Sequence, residues 1–196
     1  MGGLLAVVTP LSAFNKTVLK IGRGVGIVAV AFMVTAILIQ VVFRYVLNNA
    51  LPWPDEAARF GMLWMTGLMA PTAFRRGGFV AIDMLAMAMP RVLRQLLNLS
   101  LLVISLVVLI FAVKIGWGEV TGFGGRFDTA SLYLPTSITF DEFFRIPRSW
   151  MMASILVGFI LLVIVNVELI LRSIVTMLGG EDDLPAIEVV QLGGTD

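Results

Sequence analysis

The sequence predicts an all-α integral membrane protein, a single domain over 1–175 with four transmembrane helices and a short interfacial helix between the second and third. Three observations lead there. Hydrophobic residues make up 59% of the 196-residue chain and charged residues 14%, with a mean hydropathy of +0.98; an average soluble domain is roughly half apolar and a quarter charged. The charges are also segregated. Three uncharged runs, 24–43, 95–113 and 149–167, are 20, 19 and 19 residues long, the length that crosses about 30 Å of hydrocarbon as a helix. Finally, the chain has no Cys and no His, which removes the usual side chains for thiolate chemistry, zinc sites and His or Cys haem ligation. No catalytic residue, metal site or cofactor is expected, and a net charge of +1 with thinly spread basic residues excludes a nucleic-acid partner.

The first span, 24–46, follows Lys16, Lys20 and Arg23 and ends near Gln40, Phe43 and Arg44. It is too long for a signal-peptide apolar region and lacks a small-residue cleavage pattern, so it reads as a retained helix. The second, 55–74, has an uncharged core of only 15 residues, 60–74. Acids in a first helical turn favour the positive end of the macrodipole, so the span extends back to Asp55, while Pro52 and Pro54 oppose a start further upstream. Over 79–94, Leu85, Met89 and Val92 recur every three or four residues, with Asp83, Arg91 and Arg94 at other positions. That spacing predicts a short helix lying on the membrane and broken near Pro90.

The third span is 95–116 and the fourth 149–171. Between them, 119–147 carries the Gly122-Phe123-Gly124-Gly125 hinge, then Phe140, Phe143 and Phe144 among Asp141, Glu142 and Arg145. It reads as a loop that dips aromatic residues into the outer interface, joined there by Trp150. Glu168, alone near the inner end of the fourth span, is expected to snorkel to the surface. Gly22 and Gly26 form a G-x-x-x-G next to Arg23, a weak signal for helix association. The acidic tail, 179–196, is expected to be disordered and cytoplasmic.

Orientation follows from Lys and Arg near the span ends. Lys16, Lys20, Arg23, Arg75, Arg76, Arg91, Arg94 and Arg172 lie on one side; Arg44, Arg126, Arg145 and Arg148 lie on the other, with Arg59 and Lys114 inside or at the edges of spans. The bias puts both termini in the cytoplasm. Arg75, Arg76, Arg91 and Arg94 are then placed to contact anionic lipid headgroups.

On the opposite side, Arg44, Asp55, Glu56 and Arg59 bracket the turn between the first two spans. Both acids stand three or four residues from Arg59, so one guanidinium can meet both on a helix. Three roles are open for this group: anchoring the helix end at headgroup depth, docking a partner, or relaying an ion.

The stretch from Phe43, Arg44, Tyr45 and Asn48 through Trp53, Asp55, Glu56, Ala58 and Arg59 resembles the small-permease (DctQ-type) family of TRAP transporters. The family pattern is an Arg-Tyr pair closing the first helix, then a Trp, an acidic pair and Ala-Arg opening the second. The likeness continues through Gly67 and Arg75-Arg76-Gly77-Gly78 into Ile82-Asp83. Many members have a His after the Arg-Gly turn, where this chain has Phe79, so no role of that His can operate here.

The resemblance implies a three-part system in the bacterial inner membrane. A periplasmic solute-binding protein captures a solute, often an organic acid, and delivers it to a two-subunit permease driven by sodium. The large TRAP permease subunit carries the transport sites and the small one scaffolds it. The implied partner contacts of this chain are Arg44, Tyr45, Trp53, Asp55, Glu56, Arg59 and Gly67. The residues themselves agree with that division of labour, because four spans without paired discontinuous helices lack the parts of a complete secondary transporter. The alternative is a homo-oligomeric channel or exporter subunit, whose pore would have to use Thr35, Gln40, Thr66, Asn98, Ser100, Ser105 and Asn166. A haem-bearing respiratory anchor is excluded by the absence of His.

Overall fold

The computed structural model describes residues 2–77, 90–135, 143–180 and 183–187. Four long helices dominate: α1 (Gly2–Tyr45), α2 (Trp53–Arg75), α3 (Arg91–Thr121) and α4 (Ser149–Met177). Three of them, α1, α3 and α4, are long and apolar enough to cross a membrane. α2 has the length, 23 residues, but is less apolar.

The helix bounds add to or differ from the sequence expectations in three places. α1 begins at Gly2, well upstream of the span expected over 24–46, and its 44 residues extend about 66 Å at 1.5 Å per residue. Its first half is a helix because it has a packing surface. Val8, Ser12, Asn15, Leu19, Gly22 and Gly26 are buried at the three- and four-residue spacing of one helical face. The interfacial helix expected over 79–94 lies mostly outside the described residues, and 91–94 belong instead to the first turn of α3, directly after Pro90. Proline there fixes an extended residue, φ −59° and ψ 148°, and lacks an N–H at a position where the helix would not have used one.

The third place is the 119–147 connection, where the expected loop is corrected. α3 runs on to Thr121, a 3-10 turn follows at Phe123–Arg126, and two antiparallel strands appear, β1 (Asp128–Pro135) and β2 (Phe143–Pro147). Tyr133 pairs with Arg145 and Asp128 with Pro147, with a register irregularity between them. The Thr129 hydroxyl donates to the Ile146 carbonyl at 2.7 Å. Arg145 donates to the Tyr133 hydroxyl and its guanidinium stands 4.9 Å from that ring's centre. Leu132 and Ile146 pack with Ala36, Ala57, Phe60 and Met151, so the strands close one end of α1, α2 and α4.

Glycines set how closely the helices approach. A Cβ at Gly67 would lie 2.3 Å from the Ser154 carbonyl oxygen, and one at Gly158 would lie 2.8 Å from the Gly67 Cα. α2 and α4 therefore touch backbone to backbone. Gly61 does the same service against α1, where an added Cβ would stand 3.1 Å from the Ala29 carbonyl oxygen. Gly22 and Gly26 face Leu68 and Met69 of α2, so this G-x-x-x-G packs within the chain. In a lipid solvent, where apolar burial drives little association, such small-residue contacts are the main source of helix pairing.

A buried ion cluster joining three helices

At the end of the bundle away from the strands, Glu168 of α4 is fully buried, 0% exposed. The expectation that it snorkels is overturned. Burying an ionised carboxylate is tolerated only when it is paired and its lone pairs are filled, and four donors do so. Arg75, the last residue of α2, forks onto it with Nε 2.9 Å from Oε2 and Nη2 2.7 Å from Oε1. Arg172 Nε reaches Oε1 at 2.9 Å from one turn further along α4. Asn15 Nδ2 of α1 donates to Oε2 at 2.6 Å. Each carboxylate oxygen thus receives two hydrogen bonds, the full capacity of the group.

The two guanidiniums are satisfied in turn. Arg75 Nη2 also donates to the Ser12 carbonyl at 3.2 Å and hydroxyl at 3.0 Å. Arg172 Nη2 reaches the same hydroxyl at 2.8 Å, and its Nη1 donates to the Pro185 carbonyl at 2.7 Å. That last bond fixes part of the tail expected to be disordered, at 183–187. The cluster carries one negative and two positive charges and links α1, α2 and α4, mostly through side chains. With every lone pair of the carboxylate engaged, the network is fully satisfied and holds the three helices together.

Arg75 turns inward to Glu168, and only 10% of its side chain is exposed. Arg91 and Arg94 are exposed and Arg76 is half-buried. Ser12 and Asn15 have no counterpart among the sequence-derived candidates. A usable signal for Glu168 and Arg172 did exist, an acid and a base four apart in a long apolar helix, which is the spacing of a helical ion pair.

The opposite end carries the residues singled out from the sequence, in a different arrangement. Glu56 does not pair with Arg59. Its carboxylate accepts from the backbone N–H groups of Ala130 at 3.0 Å and Ser131 at 2.6 Å, with the Ser131 hydroxyl also 2.6 Å away. The Ser131 hydroxyl lies 2.9 Å from the Pro52 carbonyl as well. The strand backbone offers two converging N–H donors, which make charge-assisted hydrogen bonds to the ionised carboxylate. Among the described residues Asp55 and Arg59 make no ion pair within 4.0 Å. Both are exposed, as are Arg44, Tyr45 and Trp53, while Gly67 is filled from within the chain by α4.

No curated protein matches this chain in sequence. The family model for the DctQ component of tripartite ATP-independent periplasmic transporters matches residues 33–176. The matched stretch contains Arg75, Glu168 and Arg172, whereas Ser12 and Asn15 lie upstream of it. It spans well over half of the sequence, and the chain belongs to the DctQ family, the small permease component of TRAP transporters.

Proposed function

We propose that this chain scaffolds the large permease subunit for sodium-coupled uptake of an organic acid or similar solute brought by a periplasmic binding protein. In this reading α2 is a fourth span. Its 23 residues reach about 34 Å at 1.5 Å per residue. Its lower hydropathy is tolerated because Gly61 faces α1 and Gly67 faces α4, which shields it from lipid. Both termini then lie in the cytoplasm of a bacterial inner-membrane protein, with the ion cluster at the inner end and the strands at the periplasmic end.

The observation that supports the scaffold reading best is the saturated Glu168 cluster, which ties three helices together and leaves no open coordination for a moving ion or solute. Four of the seven polar residues a pore would use already make hydrogen bonds within the chain. Thr35, Thr66 and Ser100 bond carbonyls of their own helices, and Asn166 donates to the Leu102 carbonyl at 3.1 Å. That weighs against a homo-oligomeric channel. Exposed Arg44, Tyr45, Trp53, Asp55 and Arg59 remain the proposed contacts for the large subunit or the binding protein.

The test is paired. Co-expressed with a large TRAP permease subunit encoded beside it, the chain should co-purify as a complex. Reconstituted alone, it should accumulate no solute under a sodium gradient. Solute accumulation in vesicles holding this chain as their only protein would refute the scaffold reading. Asp55→Lys, which leaves the Glu56 contacts intact, should weaken uptake by the assembled system at unchanged membrane abundance.

A further inference from the structure

A cavity of about 330 Å³ opens between α1 and the end of α2, lined by Lys16, Lys20, Arg23, Thr72, Arg75 and Arg76 among others. Five of these are cations. Lys16, Lys20 and Arg23 recur four and three residues apart, so they share one face of α1, and that face is turned toward the α2 terminus. Among the described residues, none of the three has an ion pair within 4.0 Å. Glu168, the acid bonded to Arg75 of this lining, is already saturated by Arg75, Arg172 and Asn15. Like charges at helical spacing repel, so the stripe weakens the helix unless an anion neutralises it.

We infer that this cavity binds a phosphate-bearing anion, held by Lys16, Lys20 and Arg23 of α1 facing the basic end of α2. The depth of the site argues for phosphate. Arg23 immediately precedes the uncharged run 24–43, and Arg75 and Arg76 close the uncharged run 60–74, so the cations stand where apolar sequence gives way to polar. In the membrane reading proposed above, on which this inference rests for its depth, that boundary is the level of lipid phosphates, where basic pockets between helices collect anionic headgroups. The mixture of Arg forks and Lys ammonium groups suits a tetrahedral oxyanion with several acceptor oxygens. This defined site replaces the diffuse headgroup contact expected for Arg75. Its source is either an anionic phospholipid or free phosphate.

The full-length protein in detergent distinguishes the sources. Native mass spectrometry and thermal unfolding are read after adding phosphatidylglycerol, phosphatidylcholine or inorganic phosphate. Phosphatidylglycerol should form a saturable adduct and raise the unfolding temperature, and phosphatidylcholine should not. In K16Q/K20Q/R23Q the affinity should fall by on the order of 100-fold, from about fivefold per cation. A variant that keeps the charges, K16R/K20R/R23K, should bind like the original and serves as the folding control. Protection by inorganic phosphate alone, lost in the triple Gln variant, supports the site with a soluble anion as its occupant. Equal binding of phosphatidylglycerol by the original and the triple Gln variant, or equal binding of the two lipids, overturns the inference. Co-purification with the large subunit is read on the same samples, so a failed complex refutes the scaffold proposal without touching the anion result.

Discussion

Replacing Glu168 by Gln removes one charge and changes the side-chain volume hardly at all, which isolates the electrostatic contribution of the cluster. The substitution leaves Arg75 and Arg172 buried with no counter-ion, because both make their ion pairs to this carboxylate. It also turns one oxygen that accepts two hydrogen bonds into an amide nitrogen that faces two donors. Removing one partner of a buried ion pair costs about 3–5 kcal/mol. Full burial of the carboxylate, 0% exposed, leaves no solvent to screen the loss. For a chain of this size 1 kcal/mol corresponds to a shift of about 2–4 °C, so the unfolding temperature should fall by roughly 6–20 °C on those scales. The assay is thermal unfolding of purified protein in detergent, followed by the loss of the monodisperse size-exclusion peak. Arg75→Gln combined with Glu168→Gln should be less destabilised than the sum of the two single variants, since the double variant leaves one fewer unpaired charge. An E168Q protein that melts within 2 °C of the original would refute the cluster as a joint.

Three further outcomes follow from other contacts. Gly67→Ala forces a methyl to within 2.3 Å of the Ser154 carbonyl oxygen and should cost about 1–3 kcal/mol of overpacking, while Gly24→Ala, with nothing within 4 Å of its added Cβ, should be stabilising by up to about 1 kcal/mol; thermal unfolding of the pair checks the contrast. Glu56→Gln should loosen the strands locally, speeding amide exchange at Ala130 and Ser131 by on the order of tenfold from about 1 kcal/mol of lost charge-assisted bonding at a half-exposed site, with little change in global melting. Because the chain contains no Cys, single cysteines report topology directly: Phe123→Cys, 78% exposed beside the strands, should react with an impermeant maleimide in intact spheroplasts, and Lys20→Cys should react only after lysis.

The sequence carried the helices wherever charges bracket an apolar run, and much less where polar residues serve inside the packing. The start of α4 at Ser149 follows Arg148, the first residue upstream of an uncharged stretch. The first half of α1 escaped the same reasoning because Ser12, Asn15, Lys16, Lys20 and Arg23 interrupt its hydropathy, although Ser12 and Asn15 belong to its buried face. A polar residue used as an internal hydrogen-bond partner looks, in one dimension, like a residue bound for solvent. The strands were hidden for a related reason. Their placement depends on a carboxylate more than 70 residues upstream, Glu56, whose nearest opposite charge in sequence, Arg59, proved not to be its partner. The first error came from reading internal polar groups as bound for solvent, the second from assigning Glu56 to its neighbour along the chain, whereas the fold bonds it to the strand at Ala130 and Ser131.

That preference has a physical basis in a lipid solvent. Apolar faces gain little by meeting one another there, so register between helices has to come from backbone contact and from polar groups that cannot be left unpaired. The chain supplies the first at mid-bundle, where Gly67 and Gly158 bring α2 and α4 together, and the second at the two ends, through Glu168 on one side and Glu56 on the other. A helix held at both ends and at its middle cannot slide by a turn, because a shift of about 5.4 Å would strand a buried carboxylate or drive a side chain into a backbone. Such constraint fixes the inner faces while leaving large apolar surfaces outside: Val28 of α1 is 67% exposed, and Ile104, Val108, Phe111 and Ile115 of α3 are 60–66% exposed. A small subunit that orders its interior by polar contacts and presents apolar flanks to lipid or to another membrane protein has the mechanical form a scaffold requires.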